Sequence, residues 1–170
     1  MGCGGRQVSV DVPLFAQTHM FRGANPVTLD AKGRLAMPTR FREQIVARSQ
    51  GRLMATVDRA DRCLLIYPLP EWEEIERKLM ALPTLNSAVR RLQRLMIGHA
   101  TELELDANGR VLIPPTLREY AGLSRQAMLV GQGARFELWD QAHWTERRED
   151  WLKVDEASEA LPPELESLSI

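Results

Sequence analysis

Cysteine is nearly missing from this 170-residue chain: Cys3 and Cys63 are the only two. Two thiols 60 residues apart make neither a disulfide framework nor a zinc knuckle, so a reducing, cytoplasmic setting is expected. Cys63 sits in the apolar run Cys63-Leu64-Leu65-Ile66-Tyr67 and reads as a small core residue. Histidine is almost as scarce; His19, His99 and His143 share no metal-ligand spacing, and neither a metal nor a cofactor is expected. No apolar run approaches the length needed to span a bilayer. No phosphate-binding glycine loop and no Ser/His/Asp constellation appears, so neither an enzyme nor a small-molecule site is read here. Ten prolines and eleven glycines lie near average, which excludes collagen-like and wholly disordered chains.

Net charge is also small. Twenty-two basic residues against 23 acidic ones give -1, which taken alone argues against a nucleic-acid partner. The sum conceals a gradient. Residues 20–62 carry nine bases and four acids, a balance of +5, whereas residues 137–170 carry ten acids and three bases, a balance of -7. Residues 1–19 resemble nothing downstream and read as a leader, with Met20 as the start of the folded unit. Residues 153–170, with Pro162-Pro163 and acidic side chains, read as a solvated, disordered tail.

What is present in abundance is internal repetition. Leu29-Asp30-Ala31-Lys32-Gly33-Arg34 matches Leu105-Asp106-Ala107-Asn108-Gly109-Arg110 at an offset of 76, and Pro38/Pro114 and Arg42/Arg118 continue the match. Further on the offset is 72, setting Leu64–Tyr67 against Phe136–Trp139 and Trp72 against Trp144; one connection shortened by four residues accounts for the change. Two copies of one supersecondary unit follow, 20–84 and 99–152, joined by a linking helix within 85–98.

Each copy reads alike. Alternation of Val27 and Leu29, and of Thr101, Leu103 and Leu105, marks a strand. Asp-x-x-Gly turns the chain, because Asp caps the turn and Gly accepts positive φ. A returning strand ends at Pro38 or Pro114, and proline favours the helix starts expected over Thr39–Arg48 and Pro115–Ala121. Strand pairs Leu53–Val57 with Cys63–Tyr67, and Ala127–Val130 with Arg135–Trp139, lead to closing helices Glu71–Met80 and Gln141–Leu152. The linking helix, Ala88–Ile97, is opened by Asn86-Ser87 and stopped at Gly98. Its Val89, Leu92 and Met96 share one face, opposite Arg90, Arg91 and Arg94, which read as a solvated face. The tryptophans, Trp72, Trp139, Trp144 and Trp151, read as core or subunit-contact residues.

As a bare pattern Asp-x-x-Gly-Arg is an ordinary hairpin turn. Here it occurs twice at equivalent places, each time before a proline-started helix, and the first copy lies among Lys32, Arg40 and Arg42. Lys32 inside a tight turn must point to solvent, so folding alone does not call for it.

Met20-Phe21-Arg22-Gly23, the doubled motif and the spacing between copies resemble the MraZ family of bacterial transcriptional regulators. That family falls in the swapped-hairpin group that includes AbrB and SpoVT. The resemblance covers about 20–152. It implies an α+β, β-rich fold: tandem AbrB/SpoVT-like swapped-hairpin units forming a pseudo-twofold β-barrel with flanking helices. It also implies a ring-shaped homo-oligomer that binds double-stranded DNA at short G-rich direct repeats. The usual effect is repression of the division and cell-wall gene cluster, its own operon included, in a nucleoid-associated setting with no membrane contact.

Carried over by position, the family's motif arginines fall on Arg34 and Arg110, and its motif aspartates on Asp30 and Asp106. Arg34 is then expected to read a guanine edge, which offers two acceptors to a guanidinium, with Lys32, Arg40 and Arg42 on phosphates. Asp30 and Asp106 orient their arginines, and Gly33 and Gly109 permit the turns. The turn base is Lys32 in one copy and Asn108 in the other, and Arg40 matches Thr116, so the first copy is expected to lead. An antitoxin-type regulator is disfavoured by the two copies and short tail. A non-DNA scaffold leaves the bases around the first motif unexplained.

Overall fold

A computed structural model describes residues 20–154; the expected leader and all of the acidic tail beyond Val154 lie outside the described residues. The first repeat supplies β1 (Phe21–Thr28), β2 (Arg34–Ala36), α1 (Thr39–Ser49), β3 (Arg52–Val57), β4 (Leu64–Pro68) and α2 (Leu69–Met80). After α3 (Ser87–Met96), the second supplies β5 (Thr101–Glu104), β6 (Arg110–Leu112), α4 (Pro115–Tyr120), β7 (Gln126–Gly133), β8 (Arg135–Asp140) and α5 (Gln141–Lys153). None of these helices is long and apolar enough to cross a membrane.

The repeats do not fold side by side; they exchange strands. One six-stranded sheet runs β1-β7-β8-β4-β3-β5, and a second consists of β2 and β6 alone. Exchanging every strand for its repeat mate leaves both orders unchanged, so the pairing has twofold symmetry. Two pairs map onto themselves under that exchange: Leu35 opposite Val111 in the small sheet, and Leu65 opposite Glu137 in the large one. Hydrogen bonding does not join β1 to β5 among the described residues, so the large sheet keeps two edges rather than closing into a ring.

The change of offset occurs in two steps, not one. Arg52 faces Glu104 while Gln126 faces Thr28, so β3 and β7 correspond at 74. The hairpin pairs Val57↔Leu64 and Gly131↔Phe136 then bring the offset to 72. The two-residue loss on each side follows a shorter helix, six residues in α4 against eleven in α1, and a tighter hairpin.

Strand β1 starts at Phe21, well before the alternation of Val27 and Leu29, and it runs through Pro26. Proline lacks the N–H that a central strand needs, and β1 tolerates it because it is an edge strand. Its partner β7 is correspondingly longer than the apolar run Ala127–Val130.

One main core draws on both repeats, with two smaller clusters around Trp72 and Trp139. Phe21, Phe41 and Phe136 meet with ring centroids 4.0–5.8 Å apart, and Leu35, Met37, Val111 and Ile113 are fully buried beneath the small sheet. Burying each such side chain contributes about 1.5–3 kcal/mol. Cys63 is buried as expected, and burial pushes its thiol pKa up. Helix α3 is opened by Asn86, whose side chain accepts from Ala88 N at 2.8 Å. It docks through Met96, whose carbonyl accepts from Thr56 Oγ1 at 2.6 Å. Arg90, Arg91 and Arg94 are exposed, and Arg90 Nη1 donates back to the Thr84 carbonyl at 2.8 Å. Trp72 and Trp139 are core residues, whereas Trp151 is 41% exposed.

Candidate nucleic-acid interface

The two Asp-x-x-Gly-Arg segments form matching turns. Asp30 Oδ1 accepts from the backbone N–H of Lys32 and of Arg34, both at 2.9 Å. Asp106 Oδ1 accepts from Asn108 at 2.8 Å and Arg110 at 2.9 Å. Gly33 and Gly109 close the turns at φ +84° and +73°, a region that penalises any residue with a Cβ. The hairpin legs, however, part company. Within the first repeat only Leu29 and Leu35 bridge, while β2 pairs with β6 of the other repeat. Met37 N donates to the Gly109 carbonyl and Ile113 N to the Gly33 carbonyl, both at 2.9 Å. Each turn is thus stitched to the opposite repeat.

This exchange brings the two turns together. Arg34 and Arg110 flank one shallow groove, with Arg118, Arg125 and Asp30 also lining it. Four guanidiniums line the groove with one carboxylate, and counting Asp106 beside Arg110 still leaves it net positive, which suits a polyanion. Arg34 Nε donates to Asp30 Oδ2 at 2.6 Å, and both side chains remain about one-third exposed. Arg110 is held more loosely, with Nε 3.6 Å from Asp106 and Nη1 4.0 Å from Asp30. Its buried Nε has no hydrogen-bond partner among the described residues.

The donated backbone N–H of Arg34, then its side chain and the Lys32 N–H, hold the Asp30 carboxyl down at about 2. The Arg110 and Asn108 amides likewise lower Asp106. Both acids are therefore charged and occupied at neutral pH. Each accepts from the amides of its own turn, and neither is available as a proton carrier.

Lys32 and Asn108 are exposed at the turn tips, and Lys32 has no ion-pair partner among the described residues. Arg40 and Arg42 do not line the groove. Arg40 is exposed but bonds Asn25 Oδ1 and the Arg22 carbonyl, with its guanidinium 4.6 Å from the Phe41 ring centroid. Arg42 is half-buried and donates from Nε to the Met37 carbonyl at 2.7 Å. Arg118 and Arg125 were not among the expected contacts. The identity of Arg118 with Arg42 in the repeat was the available signal for one of them; nothing in the pattern marks the other. The described residues contain no cluster of His, Cys, Asp and Glu able to hold a metal.

Comparison with known proteins agrees with the doubled motif. The family model for MraZ protein, described as antitoxin-like, matches twice, over residues 20–95 and 96–159. Transcriptional regulator MraZ of Halorhodospira halophila is 59% identical over 152 residues, covering 89% of this chain and all of that protein. Its namesake in Coxiella burnetii is 58% identical over 152 residues with the same coverage. The one in Pseudomonas aeruginosa is 57% identical over 149 residues, 88% of this chain and 99% of that protein. Two matches that together take in both turns, and relatives aligned along their whole length, leave one conclusion: the chain belongs to the MraZ family, a family of transcriptional regulators and not of enzymes.

Proposed function

We propose that the chain is a sequence-specific double-stranded DNA-binding regulator that reads its operator with the paired turns. The observation that carries this reading is the shared groove: strand exchange puts Arg34 and Arg110 on one surface, four arginines facing a single carboxylate. With Nε engaged by Asp30, Arg34 keeps both terminal nitrogens for an outside partner, and a guanine edge in the major groove offers the matching pair of acceptors. Lys32 contacts phosphate, Arg40 does so at the flank, and Asn108 makes the weaker contact of the second turn.

One groove makes few contacts. A ring-shaped homo-oligomer presenting several grooves to short G-rich direct repeats multiplies them through effective concentration. In this reading the regulator represses the division and cell-wall gene cluster containing its own operon, acts at the nucleoid, and needs neither cofactor nor small-molecule ligand. The finer fold belongs to the same proposal: repeats 20–84 and 99–152, linked through 85–98, wrap their two sheets around one core as a pseudo-twofold barrel.

The test is binding to the chain's own upstream DNA by fluorescence anisotropy at about 50 and 200 mM salt. Arg34→Ala is expected to cost about 1–3 kcal/mol of specific binding, and Arg110→Ala less. Undiminished operator binding by Arg34→Ala overturns the assignment.

A further inference from the structure

Arg42 and Arg118 occupy matching positions in the two repeats, and both are half-buried. Among the described residues neither pairs with a carboxylate. A half-buried guanidinium without an acid has to be explained by what it touches.

Each touches the turn of the other repeat. A Cβ placed on Gly33 would stand 2.6 Å from the Arg118 guanidinium carbon, and one on Gly109 would collide with that of Arg42. The glycines therefore leave a bare α-carbon against which a planar group lies. A chain of hydrogen bonds follows the same path. Arg118 Nε donates to the Ile113 carbonyl at 3.1 Å, and Ile113 N donates to the Gly33 carbonyl at 2.9 Å. In mirror image, Arg42 Nε donates to the Met37 carbonyl at 2.7 Å, and Met37 N donates to the Gly109 carbonyl at 2.9 Å.

We propose that Arg118 is the positioning residue for the first recognition turn and Arg42 for the second. Each arginine acts across the interlock by clamping the glycine and the residue just past the strand (Ile113 or Met37) that holds it. The proposal rests on the DNA-binding reading above and reassigns Arg42 from phosphate contact to positioning. The need for a clamp follows from the local structure. Strand β2 is three residues long and meets its own repeat through one bridge, so the turn has little else to set its height above the groove. Fixing Gly33 from one side and Asp30 from the other fixes the base of the Arg34 side chain. A turn then reaches reading geometry only when the opposite repeat is folded against it.

Direct phosphate contact is the competing role for Arg118, which also lines the groove. Lysine separates the two, since it keeps charge and stem but lacks the planar face and the Nε–H. In the full chain without DNA, hydrogen exchange is followed over residues 29–36 and 105–112 in Arg118→Lys and Arg42→Lys. Arg118→Lys is expected to speed exchange of the Lys32 and Arg34 amides by about tenfold and leave 105–112 unchanged. Arg42→Lys does the reverse. Loosening confined to the variant's own repeat, or absent from both turns, overturns the proposal.

With operator DNA, Arg118→Lys is expected to lose about as much affinity as Arg34→Ala at an unchanged salt slope. Full affinity in Arg118→Lys while Arg34→Ala is impaired also overturns it, because lysine retains a phosphate contact. So does a flattened salt slope in the uncharged Arg118→Gln, which marks a phosphate contact. Crossed exchange together with an unimpaired Arg34→Ala leaves the clamp standing and removes the DNA reading instead. If lysine prevents folding, hydrogen exchange in Arg118→Gln, which is shorter and lacks the Nε–H, is read against the same exchange outcomes.

Discussion

The two turns share their backbone scaffolding almost atom for atom and differ in the side chains it leaves free. In both, one carboxylate oxygen accepts two amides and a positive-φ glycine closes the loop. Arg34, however, is gripped at 2.6 Å by its own aspartate, while Arg110 is suspended between Asp106 and Asp30 at 3.6 and 4.0 Å. Lys32 stands where Asn108 stands. The stereochemistry of a tight turn restricts Asp and Gly in both copies, but it places no demand on an exposed tip. Divergence has accumulated there, and it makes the first turn the more cationic and the more firmly oriented of the two.

Three measurements sharpen or break that comparison. The largest effect is expected in the shared stem. Leu35→Ala truncates a fully buried residue facing Val111 and is expected to cost about 2–5 kcal/mol in urea unfolding, with Val111→Ala costing less because fewer buried atoms go. A negligible loss at Leu35 would mean that the interlock does not hold the turns. At the tips, Lys32→Ala is expected to weaken all DNA sequences alike and to reduce the salt slope by about one per engaged turn. Asn108→Lys should raise it by a similar amount, and a change in base preference from either variant would contradict a phosphate role. The smallest effect concerns pH. The folded value of Asp30 is about 2 against 3.8 unfolded, so its stabilisation is complete above 3.8 and fades as pH falls through about 2. Asp30→Asn should therefore flatten the pH dependence of Tm across that window, and more strongly than Asp106→Asn.

Much of this was readable beforehand because repetition and turn chemistry are local. The Asp-x-x-Gly turns, the helices begun at Pro38 and Pro114, and the Asn86 cap all follow from stereochemistry within a few residues. Which strand pairs with which is not local. The returning strands before Pro38 and Pro114 are legible, but nothing in either names Leu35 and Val111 as partners, and Pro26 fits in β1 because β1 is an edge. Arg118 and Arg125 entered the groove by the same route, through an exchange of strands that periodicity does not encode.

The pairing of β1 with β7 also bears on synthesis. Phe21 finds its partner only when Gly133 has emerged, and the intervening chain takes roughly 5–20 s to translate. Until then the nascent first half carries an unmated β1, β2 and outer edge of β3, all of which are open to the same segments of a neighbouring nascent chain. Folding as one chain thus competes with exchange between chains on a polysome. The advantage of carrying both repeats in one polypeptide is kinetic: the correct partner arrives tethered.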